Sequence, residues 1–366
     1  MLEQFKVPQK DQILVGDSAL RRCVTTIFGK LGVSADDAVE ASDVLVLSDL
    51  RGVESHGVSN LLRAYVKDYR SGNLKTDSTW RIIRETPGTA VIDAERQLGV
   101  IMGPKAMRLA VQKARKVGTG VVTMRNSGHM GAIGHYAMIA AEQNMIGVCT
   151  CTTWLPKLSV VPTFASKPLF GTNPIAMAAP ANKEAPFLFD AATSTIAGNK
   201  IRLAIRLGAP LLPGWVADRM GVPITEEIPV QDRHQFCLLP LGGTRELGSH
   251  KGYGLMMMAE ILSTFLSGGL PFLIENTGGA KSFFAAYDIS AFMDVDQFKE
   301  NLDRMLETLR TTEPAEGHER VWYPGLPEYE EIQSRRAKGI PLHAEVVEWF
   351  NKTTSQLGIP ALETLQ

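Results

Sequence analysis

The chain has 366 residues, 45% hydrophobic and 21% charged; this ordinary globular usage can fill a sizeable core, which excludes wholesale disorder. Its 38 basic and 39 acidic residues leave a net charge of −1, and with no Lys/Arg cluster to neutralise phosphates a nucleic-acid partner is disfavoured. The length predicts about two domains.

The opening stretch, MLEQFKVPQKDQILVGD, lacks an apolar h-region, so no signal peptide is expected. Asp17-Ser18 predicts the cap of a helix running to Gly32, a residue suited to a left-handed stop. Ser34-Ala-Asp-Asp37 resembles a capping box and opens a second helix, with Val39, Val44, Leu47 and Leu50 as its buried stripe. After Gly57, the spacing of Leu61, Leu62, Tyr65, Val66 and Tyr69 predicts a third helix, ended by Ser71-Gly72-Asn73.

From residue 80 the period changes. Trp80–Glu85 and Ala90–Asp93 are β-rich runs separated by the turn signal Pro87-Gly88. A helix over Gly103–Val117, a strand over Gly120–Met124, a helix over Ala132–Gln143 and a strand over Ile146–Thr152 come next. This alternation predicts that part of the sheet is parallel. Pro162, Pro168, Pro174, Pro180 and Pro186 then recur every six residues, which fits strand ends and edges better than a central parallel strand. Asp190 is expected to start a helical region ending near Gly208, and residues 208–231, rich in Gly and Pro, a surface excursion. Tyr253–Leu266 reads as a helix whose methionine run fills core. A strand over 283–287, an amphipathic helix over 294–311 and a helical tail over 326–357 complete the chain.

Cys23, Cys149, Cys151 and Cys237 form no disulfide framework, and Cys149 and Cys151 alternate in an apolar run, so a reducing cytoplasm is the expected setting. No apolar stretch approaches the ~18 residues of a membrane span. No G-x-G-x-x-G follows a strand and no phosphate-binding G-x-x-x-x-G-K-[ST] loop occurs. A G-x-S-x-G nucleophile elbow is missing as well. Metal ligation is disfavoured too: His129 and His135 are six apart, and Cys149 and Cys151 have the wrong spacing for zinc.

Two histidines sit in small-residue loops between periodic segments, Ser55-His56-Gly57 and Ser127-Gly128-His129-Met130-Gly131. Loops on a rigid scaffold hold reactive groups, and flanking glycines let a substrate approach the ring. A capping or hydrogen-bonded histidine is the bland alternative for each. His250 and Lys251 lie in a third such loop, at a helix entry that suits anions. Asp190 and Ser194 read equally as plain N-caps or as binding groups.

Five strings together, Arg51-Gly-Val-Glu-Ser-His56-Gly-Val, Gly128-His129-Met-Gly-Ala-Ile, Gly171-Thr-Asn-Pro-Ile-Ala, Asp190-Ala-Ala-Thr-Ser and Gly248-Ser-His-Lys251-Gly-Tyr-Gly-Leu, resemble the malate/L-lactate dehydrogenase family. Tyr323-Pro-Gly325 and Gly339-Ile-Pro-Leu342 extend the likeness over nearly the whole chain. The resemblance implies an α/β (α+β) fold without a Rossmann unit: a mixed β-sheet flanked by helices, with the N- and C-terminal helices packed in one lobe. The expected division is 1–76 with 313–366 for that lobe and 77–312 for the dinucleotide-binding sheet domain. It also implies a homodimer that binds NAD or NADP and interconverts a small 2-hydroxy acid and its 2-oxo acid.

By the same resemblance His129 is the general acid/base, an imidazole titrating near neutrality, and His56 belongs to the nicotinamide and substrate pocket. Thr153, Thr172, Asn173, Asp190, Ala191, Ala192 and Lys251 fall where the family holds its dinucleotide. Where the family places a carboxylate-gripping arginine this chain has Asn60, in a segment one residue longer than the family's. Asparagine cannot fork a carboxylate as arginine does, so Arg63, one turn on, is the expected substitute, or else the substrate is less acidic than malate. A cyclic imine carboxylate reductase using NADPH and a non-catalytic dinucleotide-binding protein are the alternatives.

Overall fold

The computed structural model describes residues 3–77, 79–152, 158–230, 232–275 and 278–365. The first segment forms β1 (Gln12–Val15), α1 (Asp17–Lys30), α2 (Ala35–Leu50) and α3 (Arg63–Arg70). Ser34 caps α2 as expected, its hydroxyl accepting from the Asp37 amide at 3.4 Å. Gly16 takes the N-cap of α1, without a side-chain bond. Val39 departs from the expected buried stripe and is 49% exposed, because Ala38, Ala41 and Leu45 carry the buried face instead.

The sheet segment contains β2 (Arg81–Glu85), β3 (Thr89–Asp93), α4 (Gly99–Val117), β4 (Thr119–Ser127), α5 (Gly134–Ala141), β5 (Met145–Cys151), β6 (Ile175–Ala179) and β7 (Phe187–Ala191). After it come α6 (Gly198–Leu207), the short pair β8 (Val216–Ala217) and β9 (Cys237–Leu238), α7 (Ser249–Glu260) and β10 (Ala280–Asp288). Then α8 (Val295–Thr311), α9 (Leu326–Lys338), β11 (Ile340–His343) and α10 (Ala344–Leu357) close the chain.

Seven strands form a mixed sheet in the order β2-β3-β4-β10-β5-β6-β7. β3 and β4 pair parallel, whereas the other neighbours are antiparallel. Part of the sheet is therefore parallel, but β4 and β5 are not adjacent: β10, from far along the chain, lies between them. Residues Ala280–Ala286 of that strand are all buried, so it takes the centre and sequence neighbours move apart. Helix α4 presses against the sheet so closely that a Cβ at Gly120 would strike the Ala110 carbonyl. On the other face Thr150 meets Ser263 at 2.7 Å and Thr123 donates to the Leu266 carbonyl.

Two sequence expectations fail here. Asp190 starts no helix; it lies in β7, and the helix begins at Gly198 after an extended stretch. The methionine run is not uniformly core, for Met256 is buried while Met257 and Met258 are exposed. A helix lying on a sheet buries one stripe, and three consecutive positions cannot all face it.

The two ends of the chain meet. β1 pairs antiparallel with β11 from Gln12–His343 to Val15–Ile340, and the Leu365 amide donates to the Leu14 carbonyl at 2.8 Å. One hydrophobic cluster runs from Leu20 and Phe28 through Tyr136 to Phe284 and Phe350. A second joins Phe5, Val160, Phe170, Ile201, Leu211 and Leu238, so the Gly/Pro-rich excursion has a core of its own. Among the described residues no helix is long and apolar enough to cross a membrane.

Candidate active site

Between the two clusters lies a cleft of about 520 Å³. His56, His129, Gly131, Thr152, Thr172 and Asn173 line it together with Gly198, Asn199, Phe236 and Leu238, the last a member of the second cluster.

His56 ends a single 3-10 turn (Glu54–His56), and that turn is pinned from below. Asp49 accepts from the Val58 amide at 2.7 Å, and its carboxylate fills the space a Cβ at Gly57 would need. Arg335 of α9 donates to the Asp49 carbonyl at 2.7 Å and pairs with Glu54 at 2.9 Å. Burial drives the Asp49 and Glu54 carboxyls upward, and Arg335 opposes it for both. The C-terminal segment thus holds the N-terminal histidine in place.

His129 stands in the loop between β4 and α5, its ring stacked on that of His56 at 6.0 Å and 12°. Its Nδ1 lies 2.7 Å from the Tyr65 hydroxyl and accepts from the Gly131 amide at 3.1 Å. A backbone N–H can only donate, so this pattern assigns the neutral ring's proton to Nε2. Burial pulls His129 down to about 3, assisted by His56 and Arg202, and His56 down to about 4, assisted by Lys200. The imidazole expected to titrate near neutrality is instead held neutral. Its desolvation outweighs its ordinary basicity.

Helix α6 brings cations to this pair. Gly198 and Asn199, at its first turn, face the cleft; Lys200 and Arg202, one and three residues further on, do not line it but act on His56 and His129 respectively. The first turn of a helix offers unpaired backbone N–H groups, so the arrangement is electropositive beside a neutral base. Nothing in the sequence had marked Lys200 or Arg202, because their helix is distant in the chain from both histidine loops.

A model of the family described as malate/L-lactate dehydrogenase matches residues 15–351. The malate dehydrogenase of Pyrococcus horikoshii is 39% identical over 359 residues, covering 96% of this chain and 98% of the relative. The chain belongs to the malate/L-lactate dehydrogenase family. It is therefore an oxidoreductase, and its fold agrees. The crystal structure of malate dehydrogenase from Entamoeba histolytica superposes with a TM-score of 0.89 at 30% identity, covering 95% of this chain and 99% of that one. A delta1-piperideine-2-carboxylate reductase from Pseudomonas syringae pvar. tomato superposes at 0.75 and 27% identity, covering 93% and 99%.

Of the positions suggested by likeness to the malate/L-lactate dehydrogenase family, the structure gathers His56, His129, Thr172 and Asn173 around one cleft. Thr153 lies outside the described residues. Asp190 reaches the Gly134 amide at 2.7 Å and so caps α5, the helix after the His129 loop. The residue is exposed, yet the protein crowded around its carboxyl raises it to about 6, opposed by the Gly134 amide and Arg51. Ala191 ends β7 and Ala192 follows it, and Lys251 is exposed on the first turn of α7; none of the three lines the cleft.

Neither expected carboxylate anchor faces the cleft. Asn60 is buried and donates to the Glu54 carbonyl at 3.4 Å. Arg63 is exposed, pairs with Glu345 at 2.7 Å and lies over Trp349 at 5.4 Å. Val58–Leu62 forms a turn of π-helix directly before α3, and such a turn offsets the faces of the residues that follow it.

The fit of a nicotinamide dinucleotide rests on the chain's own donors and acceptors. Asn173 gives its amide hydrogens to the Met256 carbonyl and Glu260, while its Oδ1 is buried without a hydrogen-bond partner. Such an acceptor costs free energy until a donor arrives, and an amide or ribose hydroxyl is one. With Gly131, Gly171 and Gly198 lining the same cleft, the residues present suit the group.

Proposed function

We propose that the chain interconverts a small 2-hydroxy acid and its 2-oxo acid using NAD or NADP, with His129 as general acid/base. The observation that carries this reading is His129 itself, neutral, fixed at Nδ1 by Tyr65 and Gly131, and open to a cleft beside His56. Bound in the cleft, the nicotinamide supplies the acceptor or donor of hydride. His56, Thr172 and Asn173 would hold the dinucleotide there, and Asp190 keeps the loop after His129 in place through α5. Asp190, Ala191, Ala192, Thr153 and Lys251 remain proposed contacts to its outer parts.

For oxidation the ring takes its other neutral tautomer, with Nδ1–H donating to the Tyr65 oxygen, so that a bare Nε2 receives the substrate hydroxyl's proton as the carbon loses hydride. The Tyr65 hydroxyl suits both states of the ring: it donates to a bare Nδ1 and accepts from a protonated one. For reduction the ring must first be charged. The carboxylate of the oxo acid raises the imidazole's proton affinity as it binds, so proton uptake accompanies substrate. Gly198 and Asn199, the first turn of α6, are the part of that helix on the cleft and take the role of carboxylate anchor, with Arg202 adding positive charge near His129.

The malate dehydrogenases among the relatives support oxaloacetate and malate as the first pair to try. The reductase neighbour supports a second reading, reduction of a cyclic imine carboxylate, which an imine substrate and product analysis would separate from the first. A homodimer is also proposed: Met257, Met258, Ile261, Phe265 and Leu266 expose a continuous apolar face on α7 and the turn after it. The cytoplasm is proposed from the four free thiols.

Steady-state assay of His129→Ala tests the central claim. Turnover should fall by ~10²–10⁴ while reduced-cofactor binding, read by nicotinamide fluorescence, persists. Full activity in that variant would remove His129 from the mechanism.

A further inference from the structure

A second cavity, of about 490 Å³, opens between α3 and α10 and shares no lining residue with the cleft. Arg63, Lys67 and Arg70 stand at i, i+4 and i+7, so they form one stripe along α3. Trp349 and Lys352 face them from α10. Among the described residues Lys67, Arg70 and Lys352 enter no ion pair, and only Arg63 is matched, by Glu345. A chain of net charge −1 has thus placed four cations around one concavity.

Like charges at this spacing repel one another along a helix. The empty protein therefore carries a cost that a bound anion would relieve. We infer that this groove is a binding site for a small organic polyanion, a molecule with two or more phosphate or carboxylate groups. Three separate cationic heads without partners match several anionic groups rather than one, and the Trp349 ring supplies a flat apolar wall beside them.

The groove is also wired to the cleft. Tyr65 lies between Arg63 and Lys67 on α3, and its hydroxyl reaches His129. Glu345 pairs with Arg63 and with Arg206 at 3.1 Å, and Arg206 donates to the Ser59 carbonyl at 3.0 Å, three residues past His56. A polyanion in the groove competes with Glu345 for Arg63 and bears on both arms. Its effect on turnover rests on the function proposed above; its binding does not.

Isothermal titration with inorganic pyrophosphate and, separately, with citrate at about 0.15 M salt reads the binding directly. The expected result is one site per chain for at least one of the two, and the tighter of them tells phosphate from carboxylate chemistry. Lys67→Gln/Arg70→Gln should weaken that binding by about tenfold or more with an unchanged unfolding midpoint. His129→Ala should leave it intact, which separates the groove from the cleft. Absence of binding by both anions, or unchanged binding in the triple variant with Lys352→Gln, overturns the site. Binding that leaves turnover unaltered overturns the link through α3, and a wild type inactive on every oxo acid fails the function rather than the groove.

Discussion

The Tyr65 hydroxyl lies 2.7 Å from Nδ1 of His129, and the Gly131 amide points at the same nitrogen. The ring is thereby oriented through Nδ1, and Nε2 is the atom proposed to exchange the proton. Tyr65→Phe keeps the buried ring and removes only the group that tracks the proton. Turnover is expected to fall about tenfold, with KM changed less than kcat, in proportion to one lost hydrogen bond to a charged state. Steady-state kinetics beside a thermal melt will check it.

As pH rises, the two directions of the reaction should respond differently. With His129 at about 3 and His56 at about 4, the free protein already holds the base form throughout pH 5–8. In that range kcat/KM for oxidation gains no acid limb from these rings. Reduction needs a proton that the free ring lacks, so its kcat/KM should drop by roughly tenfold per pH unit. A limb near pH 6.5 in oxidation would contradict the buried, neutral imidazole.

Arg63 and Arg202 should separate cleanly. Arg63→Ala loses an exposed pair with Glu345, worth about 0–1 kcal/mol, and should leave KM for oxo acids unchanged. Arg202→Gln removes a cation beside His129 and should raise that KM by about tenfold or more. Measured KM values on one oxo acid suffice.

Arg335 carries stability. Its guanidinium is buried between Glu54, Glu331 and the Asp49 carbonyl. Arg335→Met strands Glu54 in the interior, and breaking a buried pair costs about 3–5 kcal/mol. Urea unfolding should register the loss, and activity should fall with it because the His56 turn rests on this network.

His135 supplies an acid-sensitive element. Burial lowers it to about 3, Arg51 adding to the effect, and its Nδ1 has no hydrogen-bond partner. The unfolded ring takes up a proton near 6.5 and the folded ring only near 3, so stability is fully present above 6.5 and lost as pH falls. His135→Asn should remove up to about 2 kcal/mol of the wild type's loss between pH 7 and pH 5. Denaturation at both pH values, compared between the two proteins, measures the difference.

Local pattern determined much of this molecule. The cap at Ser34, the strand runs flanking Pro87-Gly88, the missing dinucleotide fingerprint and the two histidine loops were all legible, since each depends on neighbours a few residues away. Only the tertiary structure decided that β10 separates β4 from β5, that Asp190, in a strand, caps α5 from far along the chain, and that Arg63 pairs with Glu345 away from the cleft. The charge state of His129 belongs to that second group as well, because it arises from burial, from His56 and from Arg202 on α6, both more than 70 residues away along the chain. Periodicity reports which face of an element is apolar, whereas proton affinity reports everything packed around one atom.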